Sequence, residues 1–317
     1  MSGLYRSIRH GTPDELEPLL DDETSVNVGA VVSDDVHRRI AALFAARPDA
    51  RLDILAGEDL EMLRWYPGLR ALGAHSLRLR SIEGLGHVAS TLERVSLGDT
   101  LRPVSLRPLG QATGLRRLGI SGTWRHPDTI SGLTALERLS LGTIDVELLL
   151  PLRGLRRFES GLGTVHHLDL LQEVGVLELV ELYRLRGPHD LTALAGIPSL
   201  RYLLLGSTRS ITALPSFAQS PDLRWVALDE MRGITDLRPI AAAPNLETLL
   251  LIGMPQLQAE DLRPLVGHPS LRAGIWGLGS MRRNAAAQEL LPLPPSGAEE
   301  MPWQRPDWTG APHWNDD

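Results

Sequence analysis

The sequence predicts an α/β solenoid: short repeats stacked so that a parallel sheet lines one side and short helical or irregular segments line the other. Three observations predict it. Leucine supplies 60 of the 317 residues and phenylalanine only three, so the core is nearly pure leucine. A six-residue segment of the L-x-x-L-x-L kind recurs ten times, starting at Leu69, Leu92, Leu115, Leu136, Leu155, Leu177, Leu200, Leu223, Leu246 and Leu271, with Ser160 and Gly274 as departures at its sixth and fourth positions. The successive spacings are 23, 23, 21, 19, 22, 23, 23, 23 and 25 residues. Finally, each segment is followed by a return stretch with a second apolar set, such as Ile234, Leu237 and Ile240. One such unit cannot bury its own inner face, whereas stacked neighbours can.

The ends need polar caps over the terminal leucines. Residues 34–46 read as an amphipathic helix, with Val36, Ile40, Leu43 and Phe44 on one face and acidic residues at its start. Leu52, Ile54 and Ala56 alternate as a strand would, and residues 57–68 read as a helix ended by Pro67. Residues 1–68 are therefore expected to form an N-terminal segment and helical cap with a degenerate first repeat. For residues 1–33 the one feature is a helix opening at Thr12 and Pro13. The array is expected over 69–279. Residues 280–317 then form a C-terminal cap, with a helix over 280–291, and a Pro/Trp-rich tail carrying Trp303, Trp308 and Trp314.

The return segments ITDLRPIAAAPNLETL (234–249), AEDLRPLVGHPSLRA (259–273) and DLTALAGIPSLRYL (190–203) resemble the leucine-rich repeat family, within it the short internalin-like bacterial type. The resemblance implies a horseshoe with a concave parallel sheet and a compact convex side, and it is nearly silent on activity, which belongs to sites rather than folds. Two departures stand out. The family's asparagine ladder is missing, its positions being held by Thr100, Thr123, Ile144, Gly163, Leu185, Thr208, Met231 and Met254. Less regular turns are expected as a result, most of all around Leu155. The secretion and wall-anchoring signals of internalins are also absent.

Composition removes several classes of function. There is no cysteine, hence no disulfide, thiolate chemistry or cysteine-ligated zinc. No run of eighteen apolar residues exists to cross a membrane. A net charge of -7 argues against nucleic-acid binding. The polar, acidic N-terminus is unlike a signal peptide, so a cytoplasmic location is expected. All 32 basic residues are arginine, which points to GC-rich coding and a bacterial source. No phosphate loop, nucleophile elbow or paired-acid motif is present. His166, His167 and Asp169 are adjacent, but neighbouring histidines on an extended segment point apart. Neither a cofactor nor an enzyme activity is expected.

The informative positions lie between the inward leucines, because strand side chains alternate between faces. Position three of successive copies places Arg94, Arg117, Arg138 and Arg157 on consecutive strands, flanked mainly by serine and glycine. An apolar zone follows: Leu179, Tyr202, Leu204, Trp225 and Leu250, with Ile252 at position seven. Glu159 shares a face with Arg157, and no acid faces Arg94 or Arg117 at these positions. Position two alternates Arg and Glu from Arg70 to Arg201 and again over Arg224, Glu247 and Arg272, and reads as a structural ladder. The expectation is a non-catalytic interaction module. Its partner is another protein, with an acidic patch that meets these arginines and Tyr202 and Trp225 as apolar anchors. The alternative is self-association through the apolar zone.

Overall fold

The structure is a computed structural model, and it describes residues 4–21, 23–187 and 190–295. The chain divides into two compact units, with the boundary between Ser140 and Leu141.

The first unit carries β1 (Leu4–Ile8), β2 (Glu23–Val28), α1 (Asp34–Ala46), β3 (Arg51–Ile54), β4 (Ala71–Ala74), β5 (Arg94–Leu97) and β6 (Arg117–Ile120). β7 (Arg138–Leu141) runs to its boundary. The strands are parallel and neighbour one another in chain order. Register keeps equivalent positions side by side, so Leu72 lies against Val95 and Val95 against Leu118. Short 3-10 turns such as Glu83–His87 and Arg107–Gln111 form the return segments.

The second unit holds β8 (Ile144–Asp145), β9 (Arg157–Gly161), β10 (Val165–His166), β11 (Leu179–Tyr183), α2 (Thr192–Ala195) and β12 (Tyr202–Gly206). β13 (Trp225–Asp229), α3 (Arg238–Ala241), β14 (Thr248–Ile252), β15 (Ala273–Trp276) and α4 (Met281–Leu290) complete it. Its main ladder is β9-β11-β12-β13-β14-β15, again parallel and in chain order, while β8 and β10 pair with each other. Among the described residues, no helix is long and apolar enough to cross a membrane.

The repeat register read from the sequence holds. Leu115, Leu118, Leu136 and Leu139 in the first unit, and Leu200, Leu203, Leu246 and Leu249 in the second, have no exposed surface. The expected helix over 34–46 is α1, with Asp34 and Asp35 in its first turn and Ile40, Leu43 and Phe44 buried. The helix expected over 280–291 is α4, and Ser280 caps it by accepting from the Arg283 backbone N–H at 3.3 Å. Residues 57–68 give only a short 3-10 turn, Glu61–Trp65.

Two differences are instructive. The sheet reaches further back than expected, because β1 and β2 pair in parallel ahead of β3. Their inward residues Ile8, Val26 and Val28 are buried, but without the six-residue leucine pattern they leave little periodic signal. At Thr12 and Pro13 only a three-residue 3-10 turn forms, Asp14–Leu16.

The turns are also more regular than the missing asparagines suggest. The residue just after the strand is left-handed in five repeats of the second unit, at Leu162, Arg184, Ser207, Glu230 and Gly253, with φ between 46° and 62°. Side chains rarely adopt that conformation, and it persists only where surrounding structure enforces it. Threonine does replace asparagine at Thr208, whose Oγ1 accepts from the Leu185 N–H at 3.1 Å and donates to the Gly206 carbonyl at 3.0 Å.

Two predictions test this framework. Truncating Leu118, Leu139, Leu203 or Leu249 to alanine should each cost about 2–5 kcal/mol in denaturant unfolding, and losses under about 1 kcal/mol would disprove the register. The second concerns His37 of α1, which is buried with its Nδ1 at 2.7 Å from the Tyr66 hydroxyl. Burial above all, with Arg64 adding to it against the pull of Asp34, holds the His37 imidazolium below its ordinary pKa. The unfolded chain then binds more protons than the fold, so stability present above about pH 6.5 drains as pH falls toward the lowered native value. Melting curves of the wild type should drop over that interval, and His37→Gln should flatten the slope.

Candidate functional site on the outward face of the sheet

In the first unit the outward positions of β3, with the residue just after β4, carry a charged cluster that sequence reasoning missed. Arg51 Nε donates to Asp53 Oδ1 at 3.0 Å, and Arg51 Nη2 lies 3.2 Å from His75 Nε2. His75 Nε2 is also 3.5 Å from Asp53 Oδ1. Asp53 is only 7% exposed. The signal that could have found the cluster is the R-x-D alternation at 51 and 53, which places both on one face of a strand. Gly73 makes room for it, since a Cβ there would sit 1.8 Å from Asp53 Oδ1.

Next along this face, Arg94 and Arg117 stand opposite each other in register on β5 and β6. Both are half-buried, with Ser96 and Gly119 beside them. Arg94 Nη2 donates to the Asp49 carbonyl at 2.9 Å. Arg138 was expected to be exposed with them, yet it is only 3% exposed. The position-two residues behave as the sequence implied: Arg116 Nη1 meets Glu137 Oε1 at 2.5 Å, and Arg70 Nη1 meets Glu93 Oε1 at 3.7 Å.

In the second unit the outward face is mostly dry. Arg157 is 1% exposed and its Nε donates to Glu159 Oε1, which makes the internal ion pair that the shared face of 157 and 159 allows. Leu179, Tyr202, Trp225 and Leu250 are buried at 2–4% exposure together with Ala227, and Leu204 packs partly buried against them. These apolar residues do form one cluster, as expected, but not an exposed one. Alternation places them on the outward face; it says nothing about whether that face meets water. Ile252, at position seven, remains 42% exposed.

The adjacent histidines find a different partner from Asp169. His167 Nδ1 lies 2.9 Å from Asp145 Oδ1 and 4.0 Å from Glu147 Oε1, across neighbouring repeats. The hydrogen bond between them raises the His167 pKa and lowers that of Asp145. The donor atoms of Asp145, Glu147 and His167 lie within 4.8 Å of one another, a spacing that fits a divalent cation. Glu147 and His167 are exposed and already engaged in this bridge, so the group ties adjacent turns together without further help.

No family model and no curated protein matches the chain. Solved structures do. An internalin, InlF of Listeria monocytogenes, superposes with a TM-score of 0.58 at 19% identity, covering 85% of this chain and 79% of that one. The TLR13–ssRNA13 complex superposes with a TM-score of 0.56 at 17% identity, covering 80% of this chain and 39% of TLR13. At these identities the likeness establishes the fold alone: a leucine-rich-repeat solenoid.

Gly73→Ala tests the buried cluster of the first unit. Its Cβ must displace Asp53 or Arg51, so a loss of about 1–3 kcal/mol is expected. An unchanged melting temperature would mean that the trio tolerates rearrangement and is not fixed by this glycine.

Proposed function

We propose that the protein is a non-catalytic interaction module that binds an acidic patch on another protein through the outward face of its parallel sheet. The observation that carries this reading is the Arg94–Arg117 pair. The two residues stand in register on adjacent strands, which lie about 4.8 Å apart, and both keep part of their surface accessible. Their neighbours on this face, Ser96 and Gly119, are small. Arginine forks meet carboxylates in two-point contacts.

A carboxylate-bearing protein fits better than a nucleic acid. The solved relative TLR13 is in complex with RNA, but this chain carries a net charge of -7, and phosphate-backbone binding draws on a broadly cationic surface. Arg138 and Arg157, expected in the same stripe, are buried and in this reading hold the sheet rather than the partner. Leu179, Tyr202, Leu204, Trp225 and Leu250 would serve as anchors only where the partner gains access to them.

The test is affinity capture from the native host with wild type and with Arg94→Glu/Arg117→Glu. The double variant should lose a specifically retained acidic protein while its melting temperature stays nearly constant, because part-exposed charges contribute little to stability. Retention of the same proteins by both would refute the reading. Light scattering of the wild type alone separates it from self-association, which requires a concentration-dependent dimer.

A further inference from the structure

The second unit has a second core. Inward residues Leu203, Val226 and Leu249 are fully buried in the solenoid, and their outward neighbours are buried as well. Segments such as YLLLG, WVALD and TLLLI are apolar at successive positions, which is how a parallel strand reads when both of its faces are covered. The burial has a shape. Leu179, Tyr202, Trp225 and Thr248 are paired in register across β11, β12, β13 and β14, and all four are 2–3% exposed. One step further along the strands Glu181 and Leu204 are only half-buried, Ala227 and Leu250 are still buried, and at position seven Ile252 is 42% exposed. The dry zone is therefore a narrow band across the strands, one position deep on β11 and β12 and two on β13 and β14, about 14 Å long at about 4.8 Å per strand. Side chains lying next to one another on an open sheet do not bury a tryptophan to 2%. Trp225 Nε1, moreover, is buried without a hydrogen-bond partner among the described residues, and such a donor calls for an acceptor.

The chain arrives beside this band. After α4, Trp276 Nε1 donates to the Leu291 carbonyl at 3.3 Å, and the Gly274 N–H donates to the Pro294 carbonyl at 3.0 Å. Gly274 adjoins Ala273, the β15 residue in register with Thr248. Pro294 thus lies close to the level at which the dry band crosses the sheet, and residues 296–317 follow it in the chain. From Pro295, Trp303 and Trp308 can be reached over about 26 and 43 Å of extended chain, more than enough to cross to β11. The segment from 301 to 308, MPWQRPDW, offers two indole rings for the apolar cluster, prolines that lower the entropy lost on docking, and backbone carbonyls for Trp225 Nε1.

We propose that the segment following Pro295 lies across the outward face of β11–β14, with Trp303 and Trp308 packed against Leu179, Tyr202, Trp225 and Leu250. It acts as a built-in occupant of that face, which a partner reaches only by displacing it. The inference stands on the second unit alone and is independent of the Arg94–Arg117 reading.

The full chain is compared with a chain ending at Pro295 and with full-length Trp303→Ser/Trp308→Ser. The readouts are fluorescence of an apolar dye and chymotryptic cleavage after Trp303 and Trp308. Dye emission should rise several-fold in both variants. A synthetic peptide of residues 296–317 should return the shortened chain saturably to the full-length level, whereas the peptide with both tryptophans replaced should not. Cleavage after Trp308 should be much slower in the full chain than in the free peptide. Equal dye binding in all three proteins, or cleavage of the full chain at the free-peptide rate, overturns the proposal. So does protection that appears only with a dimer mass in light scattering, since a second copy would then be the occupant. Should circular dichroism report that the shortened chain is unfolded, the double-serine variant and the cleavage rates decide.

Discussion

No repeat of this chain can bury its own leucines, and everything else in the structure follows from that constraint. Leu118, Leu139, Leu203, Val226 and Leu249 reach complete burial only because adjoining repeats in the same unit close over them. The register of each parallel pair is the one that aligns these residues, since a slip of one position would turn every leucine to the other face. Once the leucines are aligned, all outward side chains are aligned too. The in-register pair Arg94 and Arg117 is thus a by-product of the core, as is the line from Leu179 to Thr248. The same packing sustains left-handed backbone at Leu162, Arg184, Ser207 and Glu230, where no glycine eases it.

Charge is handled differently at the two kinds of strand position. At position two, ion pairs such as Arg116–Glu137 and Arg224–Glu247 keep substantial contact with water and contribute modestly. On the outward face, Asp53, Arg138, Arg157 and Glu159 are buried, and a buried charge needs a partner at close range. Arg157 meets Glu159 with both nearly inaccessible, and Asp53 is held between Arg51 and His75. Removing one member of such a group would strand the other without solvent, which makes these clusters fixed points of the sheet. Arg94 and Arg117 differ from them in keeping part of their surface exposed.

The sequence alone determined the repeat, its register, the inward leucines, α1 and α4, because each is a matter of local periodicity. It also placed the arginines and the apolar residues correctly on the outward face, since alternation is a property of a single strand. It did not find β1 and β2, whose apolar residues lack the leucine spacing, nor the Arg51–Asp53–His75 group, which draws its members from adjacent repeats. Only the tertiary structure decided which part of the outward face is wet. Arg138 and Trp225 occupy the same repeat position as Arg94, yet they are buried and Arg94 is not. The physical reason is that a side chain's direction is set by its own backbone, whereas its contact with water is set by whatever else the chain brings over it.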